Sequence, residues 1–405
     1  MSSHRPAPRA HRGPRRPQQS RRAPVRVQAP LVTKAPMPAA TSFQSAGLPT
    51  PLTRLLTNRG ITTPFAIQAA VLPDALAGHD VLGRAPTGSG KTLAFGLPLL
   101  ARVAGKQRMK KRPRVLVLLP TRELAEQVGT VLAPLGQTLS LEVATVYGGT
   151  SIGRQITRLV RGVDVLVATP GRLIDLMERG AVSLDSIEIA VLDEADHLCD
   201  LGFLPVMKQL LDLVPAGGQR MLFSATLDGA VDVLVRRYLN EPVLVEVDAP
   251  ETDTEPVTHR LVDVRSRDDK PAAIADLVRG LSRSIVFVRT KHGADRLAKQ
   301  LSRHGVDAGS LHGGLAQNAR TRALAAFSEG RSRVLVATDV AARGLHVDGI
   351  ELVIHADLPT ESKVFSHRSG RTGRAGATGE VVTLVLPEET GSARRLLAQA
   401  QVSAA

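Results

Sequence analysis

A chain of 405 residues, 43% of them hydrophobic, is long enough for two or three domains with buried cores. No apolar run reaches the ~18 residues that span a bilayer, the start has no apolar core of the secretory kind, and the single cysteine, Cys199, excludes an internal disulfide. These features together predict a cytoplasmic protein. The net charge of +14 is uneven. Residues 1–40 carry eight arginines, one lysine and no acid, among many prolines. Such a segment cannot pack a core and is expected to be a disordered basic arm able to contact phosphates.

From residue 81, short apolar runs alternate with amphipathic stretches. Strands are predicted at 81–83, 115–119, 143–147, 163–168, 187–192, 220–223 and 243–247. The stretches between them, for example 122–132 and 172–178, carry helical patterns. Continuous apolar strands separated by helices indicate a parallel sheet covered on both faces. A polar segment, 248–258, reads as a linker. The rhythm then resumes, with strands at 261–264, 284–288, 334–337, 352–354 and 380–386 and helices at 270–281, 293–304 and 317–329. The prediction is therefore two α/β lobes, 41–247 and 259–388, followed by a short tail, 389–405. With so few aromatic residues, a nucleic acid would be held by its backbone more than by stacking.

The first strand leads into Ala85-Pro86-Thr87-Gly88-Ser89-Gly90-Lys91-Thr92. Strand, glycine-rich loop and helix in that order make a phosphate-binding loop. Gly88 and Gly90 let backbone amides close around phosphate, and the helix N-terminus adds partial positive charge. Lys91 is expected to reach the β and γ phosphates of ATP, and the Thr92 hydroxyl to ligate Mg²⁺. The strand at 187–192 ends in Asp193-Glu194-Ala195-Asp196. Ligands of open parallel sheets sit at that edge, so Asp193 is placed to hold Mg²⁺ and Glu194 to act as general base toward water.

With these two segments in that order, the chain resembles the DEAD-box RNA helicases, superfamily-two ATPases, over residues 41–388. The resemblance implies two tandem RecA-like α/β domains joined by a short linker. It implies an adenine-reading role for Gln68, at the end of Gly60-Ile61-Thr62-Thr63-Pro64-Phe65-Ala66-Ile67-Gln68, and a base-stacking role for Phe43. It places RNA contacts in the first lobe at Thr121 and Arg122, at Gly148 and Gly149, and at Thr169, Pro170, Gly171 and Arg172. In the second lobe it places them at Arg289, Thr290, Gln317, Arg320 and Thr338. Free helix amides, hydroxyls and arginines suit sugar–phosphate contact, although each segment alone is also an ordinary strand-to-helix turn. Ser224 and Thr226 would couple to Asp196, with Asp339 and His367 as further coupling residues. Arg371 and Arg374 would be arginine fingers reaching phosphates held by the first lobe, so hydrolysis would need lobe closure.

One residue departs from the family pattern. His346 stands where an aspartate usually meets the ribose. An imidazole can bond a hydroxyl or, near pH 6.5, add charge; weakened or pH-sensitive ATP–RNA coupling is the expectation. The implied function is an ATP-dependent RNA helicase, acting as a monomer on single-stranded RNA and short duplexes. Ribosome assembly, RNA decay and cold adaptation are all open settings. A DNA-directed translocase of the same superfamily and a non-enzymatic RNA clamp are the alternatives.

Overall fold

The structure, a computed structural model, describes residues 33–86, 88–227, 229–247, 257–342, 347, 349–373, 378–400 and 402. Most of the basic arm, most of the linker, Thr87, His346 and Arg374 lie outside the described residues.

The first lobe has seven strands: β1 (Val81–Arg84), β2 (Val115–Leu118), β3 (Val143–Val146), β4 (Val165–Ala168), β5 (Ile189–Leu192), β6 (Gln219–Ser224) and β7 (Val243–Glu246). Their order is β3-β4-β2-β5-β6-β1-β7. Every pair is parallel. β2, β4 and β5 are unbroken runs of Val, Leu, Ile and Ala buried along their whole length. That is what a sheet covered by helices on both faces requires. Because all strands run one way, the loops after β1, β2, β4, β5 and β6 gather at one edge.

The second lobe repeats the plan with β8 (Thr258–Asp263), β9 (Ser284–Phe287), β10 (Ala308–Leu311), β11 (Val334–Ala337), β12 (Leu352–His355) and β13 (Glu380–Val385). The order is β10-β11-β9-β12-β13-β8, again all parallel. Separate apolar clusters fill its two faces, one around Val286, Val336 and Ile354, the other around Phe287, Phe327 and Val353.

Several element bounds differ from the sequence reading. β10 was not expected: Ala-Gly-Ser-Leu has neither alternation nor β-branching, and only Leu311 is fully buried. It is an edge strand held by pairing with β11. β8 starts at Thr258, three residues earlier than predicted, through its pairing with β13. The helix after the phosphate loop opens at Lys91, not Thr92, because Gly90 takes the left-handed conformation at its cap. Among the described residues no helix is long and apolar enough to cross a membrane.

Candidate nucleotide site and nucleic-acid interface

The phosphate loop turns at two glycines of positive φ, Gly88 at 92° and Gly90 at 89°. Lys91 is 7% exposed. Its ammonium donates to the carbonyl of Ala85 at 2.9 Å and lies 3.9 Å from a Glu194 carboxylate oxygen. Among the described residues this buried cation meets loop carbonyls and one acid at 3.9 Å, a setting that suits a phosphate ligand, which offers it stronger charged acceptors.

Asp193 is buried at the end of β5. Burial above all, opposed by the Lys91 charge and aided by that of neighbouring Glu194, pushes its carboxyl up to about 7. A carboxyl so desolvated fits a divalent cation, which would hold it ionised. Magnesium takes few protein ligands beside phosphate and water, so Asp193 with Thr92 is an adequate set. Glu194 follows with φ 54° and ψ 49°, a left-handed turn that opens the helix Ala195–Asp200. Asp196 is tied to β6: its amide donates to Ser224 Oγ at 3.2 Å, and Thr226 Oγ1 donates to its carboxylate at 3.3 Å.

Gln68 is 2% exposed and engaged at both ends of its amide. Nε2 donates to the carbonyl of Gly90 at 3.1 Å, and Oε1 accepts from the amide of Phe65 at 2.9 Å. It thereby ties the start of the helix Ala66–Ala77 to the phosphate loop, leaving one N–H and one lone pair for a further partner. Phe43 is packed in the first-lobe core at 4% exposure. Phe65, given no role from sequence, is 61% exposed. A Cβ on Gly90 would come within 2.9 Å of its ring. Phenylalanine offers no acceptor, so this helix begins without a side-chain cap at a position where a hydroxyl would serve.

The segments expected to meet RNA converge. A cleft of about 560 Å³ is lined by Thr121, Arg122, Gly148, Thr169, Gly171 and Arg172 from the first lobe and by Gly313, Leu315 and Arg320 from the second. Thr121 caps its helix by accepting from the Leu124 amide at 3.3 Å. Pro170 fills the first turn of the helix Pro170–Glu178, whose cap residue is Thr169. Arg122 lies over the Gly148-Gly149 turn so closely that a Cβ at Gly149 would sit 2.1 Å from Nη1. Arg172 donates to Gln155 Oε1 at 2.9 Å.

In the second lobe, Thr290 caps the helix Lys291–Arg303 by accepting from the Gly293 amide at 3.0 Å. Arg289 is exposed beside it, and its amide donates to Asp357 at 2.8 Å. Thr338 follows β11, its amide bonded to the Leu311 carbonyl at 3.1 Å. Asp339, His367 and Arg371 line one small cavity with Phe287 and Arg368. Arg368 clamps both carboxylate oxygens of Asp339, at 2.5 and 2.8 Å. Arg371 Nε donates to the His367 carbonyl at 3.3 Å.

Sequence reasoning missed Pro120, Glu123, Asp175, Leu201, Phe203, Gly313 and Leu315 as cleft residues. Pro120 and Glu123 flank Thr121 and Arg122, which were the available signal. The others are marked only by tertiary placement.

Two family models match: "DEAD/DEAH box helicase" over residues 65–233 and "Helicase conserved C-terminal domain" over 269–376. The chain is 43% identical over 336 residues to DEAD-box ATP-dependent RNA helicase 9 of Oryza sativa subsp. japonica, covering 81% of this chain and 53% of that one. It therefore spans a little over half the length of that relative. It is 40% identical over 353 residues to DEAD-box ATP-dependent RNA helicase CshA of Geobacillus kaustophilus, covering 87% of this chain and 75% of that one. Among solved structures, S. cerevisiae Dbp5 bound to RNA and ADP BeF3 matches with a TM-score of 0.76 at 29% identity, covering 89% of this chain and 94% of that one. The two family models fall one on each lobe, and the chain belongs to the DEAD-box family of ATP-dependent RNA helicases.

Proposed function

We propose that this chain is an RNA-stimulated ATPase that unwinds or remodels short RNA duplexes. The observation that carries this reading is a cleft whose walls come from both lobes, in a chain whose first lobe also sets a phosphate-loop lysine, Lys91, 3.9 Å from the acid Glu194. A single RNA strand bound there contacts both lobes at once, so RNA binding and lobe closure are one equilibrium.

Lys91 would exchange the loop carbonyls for terminal phosphate oxygens. Glu194 would take a proton from the attacking water. Arg371 and Arg374, from the second lobe, would meet charge developing on the phosphate, which makes hydrolysis conditional on closure. Mg²⁺ held by Asp193 and Thr92 would neutralise phosphate charge. The Asp196 bonds to Ser224 and Thr226 give the acid segment a direct tie to β6, through which nucleotide contact can be felt elsewhere in the lobe. At the other end of the nucleotide, strand order sets the direction. The acids end β5, two strands from β1 on one side, whereas the helix Ala66–Ala77 packs on β7 at the other. A triphosphate pointing its terminal group at Glu194 sends its base toward Gln68 and Phe65.

Steady-state ATPase with RNA or single-stranded DNA of equal length tests the reading. Stimulation by RNA alone is expected, and equal stimulation by DNA would favour the translocase. Glu194→Gln is expected to retain ATP and RNA binding and to lose turnover by about 100-fold or more.

A further inference from the structure

We propose that the first lobe carries a second phosphate-binding surface, at the end of its sheet remote from the cleft, which holds RNA that extends beyond the cleft. The proposal rests on the cleft being an RNA site, and extends it. The loop before β2 reads Lys106-Gln107-Arg108-Met109-Lys110-Lys111-Arg112-Pro113-Arg114, six cations and no acid. It lies at the strands' N-terminal edge, whereas the cleft residues follow the C-terminal ends. The four residues of β2 rise about 13 Å, so one RNA can touch both ends of the lobe.

The loop is built, not floppy. Buried Asp164 holds Arg108 at 2.8 Å and Arg114 at 3.0 Å. The Lys111 amide donates to the Leu159 carbonyl at 3.0 Å, and its own carbonyl accepts from the Ser183 amide at 2.9 Å. Met109 and Arg112 form a β-bridge. These bonds seat the loop against the end of the helix Ile152–Arg161, which adds more arginines.

Charge is left over. Glu188, Asp185 and Glu142 pair with Lys106, Arg112 and Arg158. Lys110 and Arg161 are exposed with no carboxylate partner among the described residues, and the Lys111 ammonium reaches only the Gly180 carbonyl, at 2.9 Å. Neither segment contains an aromatic residue. Uncommitted cations on a fixed backbone, without stacking platforms, suit a sugar–phosphate chain read by charge alone.

The test is anisotropy-monitored binding across a KCl series, with a non-hydrolysable ATP analogue, on the full chain. One probe is an oligo(U) too short to leave the cleft; the other is the same strand extended by a hairpin duplex. Wild type is compared with Lys110→Glu/Arg161→Glu and with Lys110→Gln/Arg161→Gln. The expected result is unchanged affinity for the short strand, at least tenfold weaker binding of the extended RNA by the charge-reversed protein, and a salt slope flatter by about 1.5 in the glutamine variant. Superimposed curves for the extended RNA would overturn the proposal, as would an equal loss on both probes. Failure of wild type to bind the short strand would instead strike the cleft reading. Capture of polyglutamate by wild type but not the variants, with RNA binding unaltered, would replace RNA by an acidic protein segment.

Discussion

Arg122 of the first lobe donates from Nη1 to Oε1 of Gln317 in the second, at 2.9 Å. Gln317 Nε2 in turn donates to Glu123 at 3.4 Å. Arg320 Nε lies 3.0 Å from the same Glu123 oxygen, yet its N–H is not aligned on it, so this contact is one of charge and not a formed hydrogen bond. Residues assigned to RNA thus also join the lobes. A double-mutant cycle on Glu123→Gln and Arg320→Gln, read as RNA affinity with an ATP analogue, is expected to give a coupling of about 1 kcal/mol. Additive single effects would mean that the pair has no part in closure.

Gly149 has φ 85°, and the Arg122 guanidinium occupies the space where a side chain would begin. Gly149→Ala should therefore displace Arg122 and strain the turn. Weaker RNA binding, by about tenfold, is expected with ATP affinity in the absence of RNA unchanged. Wild-type RNA affinity in this variant would show that Arg122 does not need its seat on the turn.

His355 is fully buried, its Nδ1 beside Thr383 Oγ1 at 3.1 Å and its ring edge-on to Phe365. Burial, then the nearby charges of Arg368 and His259, hold its pKa well below 6.5. Burial lowers His259 in the same direction. Between the folded pKa and about 6.5 the unfolded chain binds more protons. Stability is therefore complete above about pH 6.5 and falls as the pH drops below it, by up to about 1.4 kcal/mol per unit for one such group. Urea unfolding from pH 8 to 5 should show a shallower acid limb for His355→Asn than for wild type. Parallel limbs would assign the loss to other groups.

The chain contains no tryptophan. Phe65→Trp therefore supplies a single tryptophan, selectively excitable beside the two tyrosines, at the proposed base end of the nucleotide. Its fluorescence should change on addition of ATP but not of inorganic triphosphate, with the ATP affinity itself followed by calorimetry. An identical response to both ligands, or none while ATP binds, would remove Phe65 from contact with the base.

The parts of this molecule legible from sequence are those whose signal is local. The phosphate loop, the acid tetrad and the Val- and Leu-rich strands each announce themselves within ten residues. β10 does not, because Ala308-Gly309-Ser310-Leu311 is a strand only by virtue of β11 beside it. The Gln317 and Arg320 partners of Arg122 and Glu123 lie nearly two hundred positions away, and no spacing rule links them. Gln68 drew attention through the family resemblance, but its grip on Gly90 requires the fold. Phe65 carries no local mark among its neighbours, since exposure of an aromatic is a tertiary fact.

The torsion at Glu194 limits how this position can change. A β-branched residue is poorly tolerated with φ near 54°, whereas an amide of the same length keeps the turn. Loss of the proposed proton acceptor and loss of the loop's shape are therefore separable by mutation. A lineage that abandoned hydrolysis could pass through glutamine in a single step and keep a protein that still grips its ligands.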